Sequence, residues 1–368
     1  MKELQFSVVV LMTLMCSALI VLLPKQIKYD RVINRSRWLM VAALSLLGVQ
    51  FLIQYIFQFR TMGVTQAVLV NLIFFVPASA LMSMTVLNLQ RQGRLGTFEK
   101  WGWVVAWVVV VAILAIAVLT DGHPLEQVSS SVLWADIWAS IVYAVMQTWY
   151  SILQMKELER MRVVMENYFD RERSGLVQWM MHSIGITSLM ALLVPLLIFS
   201  PNTVLIVYAL LFFWGIFMMW FCFMRYFTSN AMNRVREAEE YAEACNKERQ
   251  QTQAAGEQYG NRLSPNAMQH VEKAVERWLA TGDYLTVGIT SPQVADAMQV
   301  PRYQLAAWVK ASGYNTFTRW ITCLRIKEAE RVLKEHPDWT SDAVADHCGF
   351  NRAHFQKIFK KETGIALT

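Results

Sequence analysis

The sequence predicts an all-α protein in two parts. Residues 1–228 form a bundle of seven membrane-spanning helices, and residues 264–368 form a module of two helix-turn-helix units joined by a linker helix; residues 229–263 connect them as a juxtamembrane helix and hinge. Three observations carry this expectation. Long apolar stretches recur through the first part, basic residues crowd into alternate connections between them, and after Pro265 the pattern changes to short amphipathic helices punctuated by caps and glycines. The composition agrees: 55% of the 368 residues are hydrophobic and 17% charged, where an average soluble domain carries roughly 25% charged residues. Such a chain is neither disordered nor a disulfide-stapled mini-protein.

A transmembrane helix needs about 20 apolar residues, and stretches of this kind occur near 6–24, 38–58, 64–88, 101–119, 131–154, 177–199 and 203–227. The first has the apolar core of a signal peptide but not its flanks. Its basic residues follow the apolar run and no small-residue cleavage site closes it, so it reads as a retained helix. The fifth is interrupted by Asp136, Gln147 and Ser151.

Positive charge sets the direction of these spans. One set of connections holds Lys25, Lys28, Arg31, Arg35 and Arg37, then Arg91, Arg94 and Lys100, then Lys156, Arg160, Arg162, Arg171 and Arg173, and finally Arg225. The opposite set holds only Lys2 and Arg60, a bias of 14 against 2 that alternates across all seven spans. The N-terminus is therefore expected outside and the C-terminal module in the cytoplasm, with the chain in a bacterial inner (cytoplasmic) membrane. Of the formal net charge of +6, the membrane part carries +5, the connecting segment −1 and the module +2, so most of the excess encodes orientation.

Polar residues inside spans are costly in hydrocarbon. Asp136, bracketed by Trp134 and Trp138, and His182 near the cytoplasmic end of the sixth stretch are candidates for a ligand pocket that opens outward. The alternative for Asp136 is an acid at the interface within an aromatic belt that includes Trp101 and Trp103. Asn71 and Pro77 suit helix packing and a kink. No His-Glu-x-x-His, Gly-x-Ser-x-Gly or phosphate-loop motif is present, so no catalytic residue and no cofactor is expected. Cys16, Cys222, Cys245, Cys323 and Cys348 are scattered without a Cys-x-x-Cys pair, which favours neither disulfides nor zinc. His347, Cys348 and His354 lie close in sequence, but their spacing fits no common metal site.

The connecting segment is rich in helix formers. Met232, Val235, Ala242 and Cys245 recur at roughly heptad spacing, with Glu239 and Asn246 in the intervening positions, which leaves a solvated helix and a weak dimer seam as alternatives. Gly256, Gly260 and Ser264 before Pro265 mark the hinge, which is also a place where proteolysis would release the module.

In the module, residues 267–280 place Met268, Val271, Ala274, Val275 and Leu279 on one face. Ser291-Pro292 reads as a cap followed by a first-turn proline, opening a helix with Val294, Ala295 and Met298. A second short helix from Pro301 turns Leu305, Trp308 and Val309 inward and ends at Gly313. The linker helix runs from about Phe317 to Leu333. The unit then repeats: Thr340 and Ser341 cap a helix with Val344, Ala345 and Cys348, Gly349-Phe350 makes the turn, and a helix after Asn351 carries Phe355, Ile358 and Phe359 until Gly364.

Leu324-Arg325-Ile326, Ala329 and Val332-Leu333, followed by Ala345, Gly349-Phe350, Phe355, Phe359-Lys360-Lys361 and Gly364, resemble the signatures of the AraC-type DNA-binding domain of bacterial transcription regulators. The resemblance covers roughly residues 264–364. Seven spans ahead of such a domain look like the membrane-bound regulators of this type in Bacteroides-like bacteria. It implies sequence-specific binding of double-stranded promoter DNA and no enzymatic activity.

Residues off the core stripe are the candidate DNA contacts. They are Arg352, Ala353, Gln356 and Lys357 toward base edges, Lys360 and Lys361 toward phosphates, and Arg302, Tyr303 and Lys310 in the first unit. Ala306-Ala307 stand where the family often presents a base-reading Arg. With a net charge of only +2, the module is expected to depend on a homodimer or on clustering in the lipid bilayer. An unidentified small-molecule or envelope signal would act through the spans. The alternative is a transporter or receptor whose helix-turn-helix tail is a protein-binding adaptor.

Overall fold

A computed structural model describes residues 2–22, 30–58, 64–121, 130–170, 202–228, 231–254 and 263–365, with short helical pieces at 184–185, 188–189 and 192–193. It separates into two compact units, Met1–Glu159 with Leu176–Ala231 and Arg160–Gly175 with Met232–Thr368. The second unit thus takes in a piece of chain from between the fifth and sixth apolar stretches.

The first unit contains α1 (Lys2–Val21), α2 (Arg31–Phe57), α3 (Val64–Gln90), α4 (Thr97–Asp121), most of α5 (Ser130–Tyr168) and α6 (Asn202–Thr228). Five of these, over Lys2–Val21, Arg31–Phe57, Val68–Gln90, Thr97–Asp121 and Ile206–Met224, are long and apolar enough to cross a membrane. The fifth expected span lies within α5. Its polar residues lower its hydropathy, yet they share one face: Asp136, Ser140, Gln147 and Gln154 are buried, while Trp134, Trp138, Ile141, Val145 and Ile152 are exposed. The sixth expected span lies outside the described residues apart from the short pieces named above.

Polar side chains join these apolar helices by hydrogen bonds between them. The side-chain oxygen of Asn71 accepts from the amides of Gln50, at 2.6 Å, and Gln54, and Asn88 donates to Val32 O at 2.9 Å and Ser36 Oγ at 2.7 Å. Pro77 sits inside α3 without ending it. Because proline has no N–H, the carbonyl four residues earlier loses its helical donor. That carbonyl, Ile73 O, instead accepts from the Trp107 indole of α4 at 2.9 Å.

The second unit contains the last turns of α5, α7 (Ala231–Ala254), α8 (Pro265–Thr281), a 3-10 turn (Asp283–Leu285), α9 (Ser291–Met298), α10 (Arg302–Ala311), α11 (Phe317–Glu335), α12 (Ser341–His347) and α13 (Arg352–Thr363). The cap expected at Thr340 is in place, accepting from Ala343 N at 3.2 Å, and Ser264 and Thr316 cap α8 and α11 by accepting from Ala267 N and Arg319 N, each at 3.2 Å.

Two expectations are corrected. Ser291 is not the cap of α9; Thr290 takes that position, and the Ser291 hydroxyl pairs with Tyr241 OH at 2.6 Å. Nor is α7 a solvated helix, since it buries Val235, Ala238 and Tyr241. These fall three residues apart along one face, and Tyr241 lies against the Tyr168 ring at the end of α5. The expected hinge lies mostly outside the described residues.

Candidate nucleic-acid interface

Each helix-turn-helix unit has its own apolar core, with α11 shared between them. In the first, α9 contributes Val294, Ala295 and Met298, and α10 contributes Leu305, Trp308 and Val309. Both close on Trp320 of α11, which is 1% exposed, and whose ring centroid lies 5.5 Å from Trp308 and 5.7 Å from Trp278. In the second, Val344 and Ala345 of α12 and Phe355 and Phe359 of α13 pack on Ile326, Ala329 and Val332 of α11. Gly313 (φ 87°) and Gly349 (φ 69°) supply the left-handed backbone just after α10 and in the turn of the second unit, a conformation that costs other residues about 1–2 kcal/mol.

Burial of Phe355 and Phe359 on one side of α13 turns the polar residues out. Arg352, Gln356, Lys357, Lys360 and Lys361 are all exposed, an arrangement suited to a helix in a major groove with lysines near phosphates. The side chain of Ala353 lies outside the described residues. Arg352 is not idle in this state. It makes a two-pronged pair with Asp346 of α12, with Nε donating at 2.9 and 3.0 Å and Nη2 closer still, and hydrogen bonding to Arg352 holds the Asp346 carboxyl below its usual range. Contact with a base therefore requires an exchange of partners. Gln356 reaches Ser341 Oγ at 3.4 Å.

The first unit presents a weaker face. Lys310 is exposed, but Arg302 and Tyr303 are half-buried, and Ala306 and Ala307 offer no donor. Arg302 lies 3.8 Å from Asp296 Oδ2 and near α7. Burial pushes the Tyr241 hydroxyl and the Cys245 thiol up, and the Arg302 guanidinium draws both back. The first recognition helix thus begins beside the juxtamembrane helix, a placement that sequence reasoning missed because the two are about 60 residues apart in the chain.

Of the residues considered for metal, His347 and Cys348 are placed by the structure. His347 meets the Trp339 ring edge-on and approaches Glu328 at 3.7 Å, and burial pushes the Cys348 thiol up to about 12. The side chain of His354 lies outside the described residues. Among the described residues, no group of three or more His, Cys, Asp or Glu is gathered to hold a metal ion.

The candidate ligand pocket in the membrane part is only partly assembled. Asp136 is fully buried, while Trp134 and Trp138 are 61% and 58% exposed and face away from it. The sequence pattern could not separate these faces until the buried side of α5 was known. His182 lies outside the described residues. A narrow cavity of about 50 Å³ does exist in this unit, but further along α5, lined by Tyr143, Gln147 and Gln154 with Ser79, Ser83 and Phe212. It has room for about one or two waters. The Gln147 side-chain oxygen, buried there, has no hydrogen-bond partner among the described residues.

No curated protein and no solved structure matches the chain. Residues 294–368 match the family model of a helix-turn-helix domain, and this AraC-type match supports a DNA-binding transcription regulator.

Proposed function

We propose that the chain is a membrane-embedded, one-component transcription regulator. Its transmembrane part senses a small-molecule or envelope signal, and its cytoplasmic module binds promoter DNA held near the inner membrane. The observation that carries the reading is the second helix-turn-helix unit: a packed aromatic core that turns Arg352, Gln356, Lys357, Lys360 and Lys361 outward, within the segment matched to the helix-turn-helix family. The 14-to-2 bias of basic residues supports seven spans with the module in the cytoplasm. The inward polar face of α5 supports counting it among them. The small net charge of the module supports a homodimer, in which two weak DNA-binding surfaces act together.

The test is selection of DNA from a random pool by the full-length chain in lipid nanodiscs. The wild type enriches a sequence motif, and the combined Arg352→Ala, Gln356→Ala and Lys357→Ala variant does not. No enrichment by the wild type, even when clustered on a vesicle, overturns the reading. The pairing of Arg352 with Asp346 and the low charge favour a second reading, a transporter or receptor whose tail is a protein adaptor. An adaptor lacks the steep fall of nucleic-acid binding with salt that phosphate contacts produce.

A further inference from the structure

One guanidinium in the second unit joins three stretches of chain. Arg325, midway along α11, is 1% exposed. Its Nε donates to Tyr284 O at 2.8 Å and one Nη to Thr286 O at 2.7 Å, both in the loop between α8 and α9 in the first helix-turn-helix unit. Its other Nη donates to Gly349 O at 3.3 Å, in the turn of the second. The charge is met by Asp170 Oδ2 at 2.9 Å, from the segment that follows α5. Asp170 is itself fully buried, and the same oxygen accepts from Gly288 N at 2.9 Å.

The segment around Asp170 is seated by other groups as well. The Thr318 hydroxyl of α11 pairs with Glu166 O at 2.8 Å and with Phe169 O, Phe169 forms an isolated antiparallel bridge with Thr290, and its side chain is 5% exposed. An arginine cannot shed its proton to escape burial. Without the carboxylate, a buried cation is left among carbonyls, and the loops that supply them must open to water. Asp170 is two residues beyond the end of α5, an uninterrupted helix from Ser130 to Tyr168 that starts in the first unit.

We propose that Asp170 and Arg325 form a latch by which the end of α5 sets the arrangement of the two helix-turn-helix units relative to each other. Asp170 and Arg325 are positioning residues: neither reaches DNA, and both decide how α10 and α13 are presented to it. A signal that displaces α5 loosens both loops at once. By reciprocity, DNA that selects one arrangement favours one position of α5. The consequence for DNA rests on the regulator reading above; the latch itself does not.

Hydrogen exchange of the full chain in nanodiscs tests the latch without DNA. Asp170→Ala is expected to speed exchange more than tenfold both at 284–288 and at 346–350, while Leu305 in α10 and Val344 in α12 keep their protection. Faster exchange at Gly288 alone, with 346–350 unchanged, overturns it. If Asp170→Ala loses protection throughout the module, Asp170→Asn decides, because it keeps the shape and an acceptor for Gly288 N and removes only the charge. Deprotection of both loops supports the latch, and wild-type exchange at 346–350 overturns it. In a second arm, two base pairs are inserted between the halves of a selected site. The wild type loses at least tenfold in affinity, and the loss shrinks below threefold in Asp170→Ala. An equal loss in both overturns the positioning role. A wild type that enriches no motif refutes the regulator reading and leaves the exchange result standing.

Discussion

Gly349 offers a sharp test of how the two helix-turn-helix units meet. It takes φ 69°, and a Cβ built on it would lie 2.1 Å from the carbonyl oxygen of Leu285 and 3.4 Å from Arg325 Cζ. Gly313 takes φ 87°, and a Cβ there meets nothing within 4 Å. Gly313→Ala should therefore cost only the left-handed backbone term, about 1–2 kcal/mol. Gly349→Ala carries the same term and must also push apart two stretches of backbone by about an ångström. That displaces Leu285 and the neighbouring carbonyls of Tyr284 and Gly349, which both accept from Arg325. Hydrogen bonds to a charged group contribute about 1.5–3 kcal/mol each, so weakening one brings the total to about 3–5 kcal/mol. Hydrogen exchange of α12 and α13 in the full chain reads this directly, at roughly tenfold per 1.4 kcal/mol. The expected loss of protection is about 100-fold or more for Gly349→Ala, against about 5- to 30-fold near Gly313 for Gly313→Ala. Equal losses in the two variants would refute the close approach of the Leu285 carbonyl as the reason for glycine at 349.

Three further outcomes follow from the same geometry. Replacing Lys360 and Lys361 together with Ala should reduce the slope of log affinity against log salt by about 2, close to 0.9 per phosphate contact; an unchanged slope would place the phosphate contacts elsewhere. Asp346→Asn should leave the melting temperature unchanged, because its pair with Arg352 is exposed. It should strengthen binding to any DNA, most at low salt, since it frees Arg352 and removes a negative charge near the backbone; weaker binding in a filter assay would contradict this. Burial raises the Cys348 thiol from 9.0 to about 12. Between those values the unfolded chain releases a proton that the folded chain keeps, so this contribution is complete below pH 9 and fades as pH rises. The gap in melting temperature between wild type and Cys348→Ala should then narrow from about pH 8 to about pH 10.5.

The parts of the molecule legible in the sequence are those encoded over short distances. Apolar length marks five helices long enough to cross a membrane, since a run of about 20 residues is sufficient for that. Thr340 is a recognisable cap because the N–H it satisfies is three residues away. The outward face of α13 follows from the four-residue spacing of Phe355 and Phe359. Arg352 was legible as a polar residue on that face, but its pairing with Asp346 was not, because it depends on how α12 crosses α13. Asp136 shows the same division. Its presence in an apolar stretch is a sequence fact, whereas its burial depends on which side of α5 the neighbouring helices cover.

The sequence by itself thus determined the helical class, the long apolar stretches and the doubled helix-turn-helix pattern. Each rests on periodicity, charge or a cap within a few residues. Only the tertiary structure decided what those elements touch. Tyr241 meets Ser291 across 50 residues, and Asp170 meets Arg325 across 155. A buried ion pair forms only where packing brings both partners together and supplies their remaining hydrogen bonds. No local pattern marks Asp170 as the counterion of the linker helix; the fold places it there.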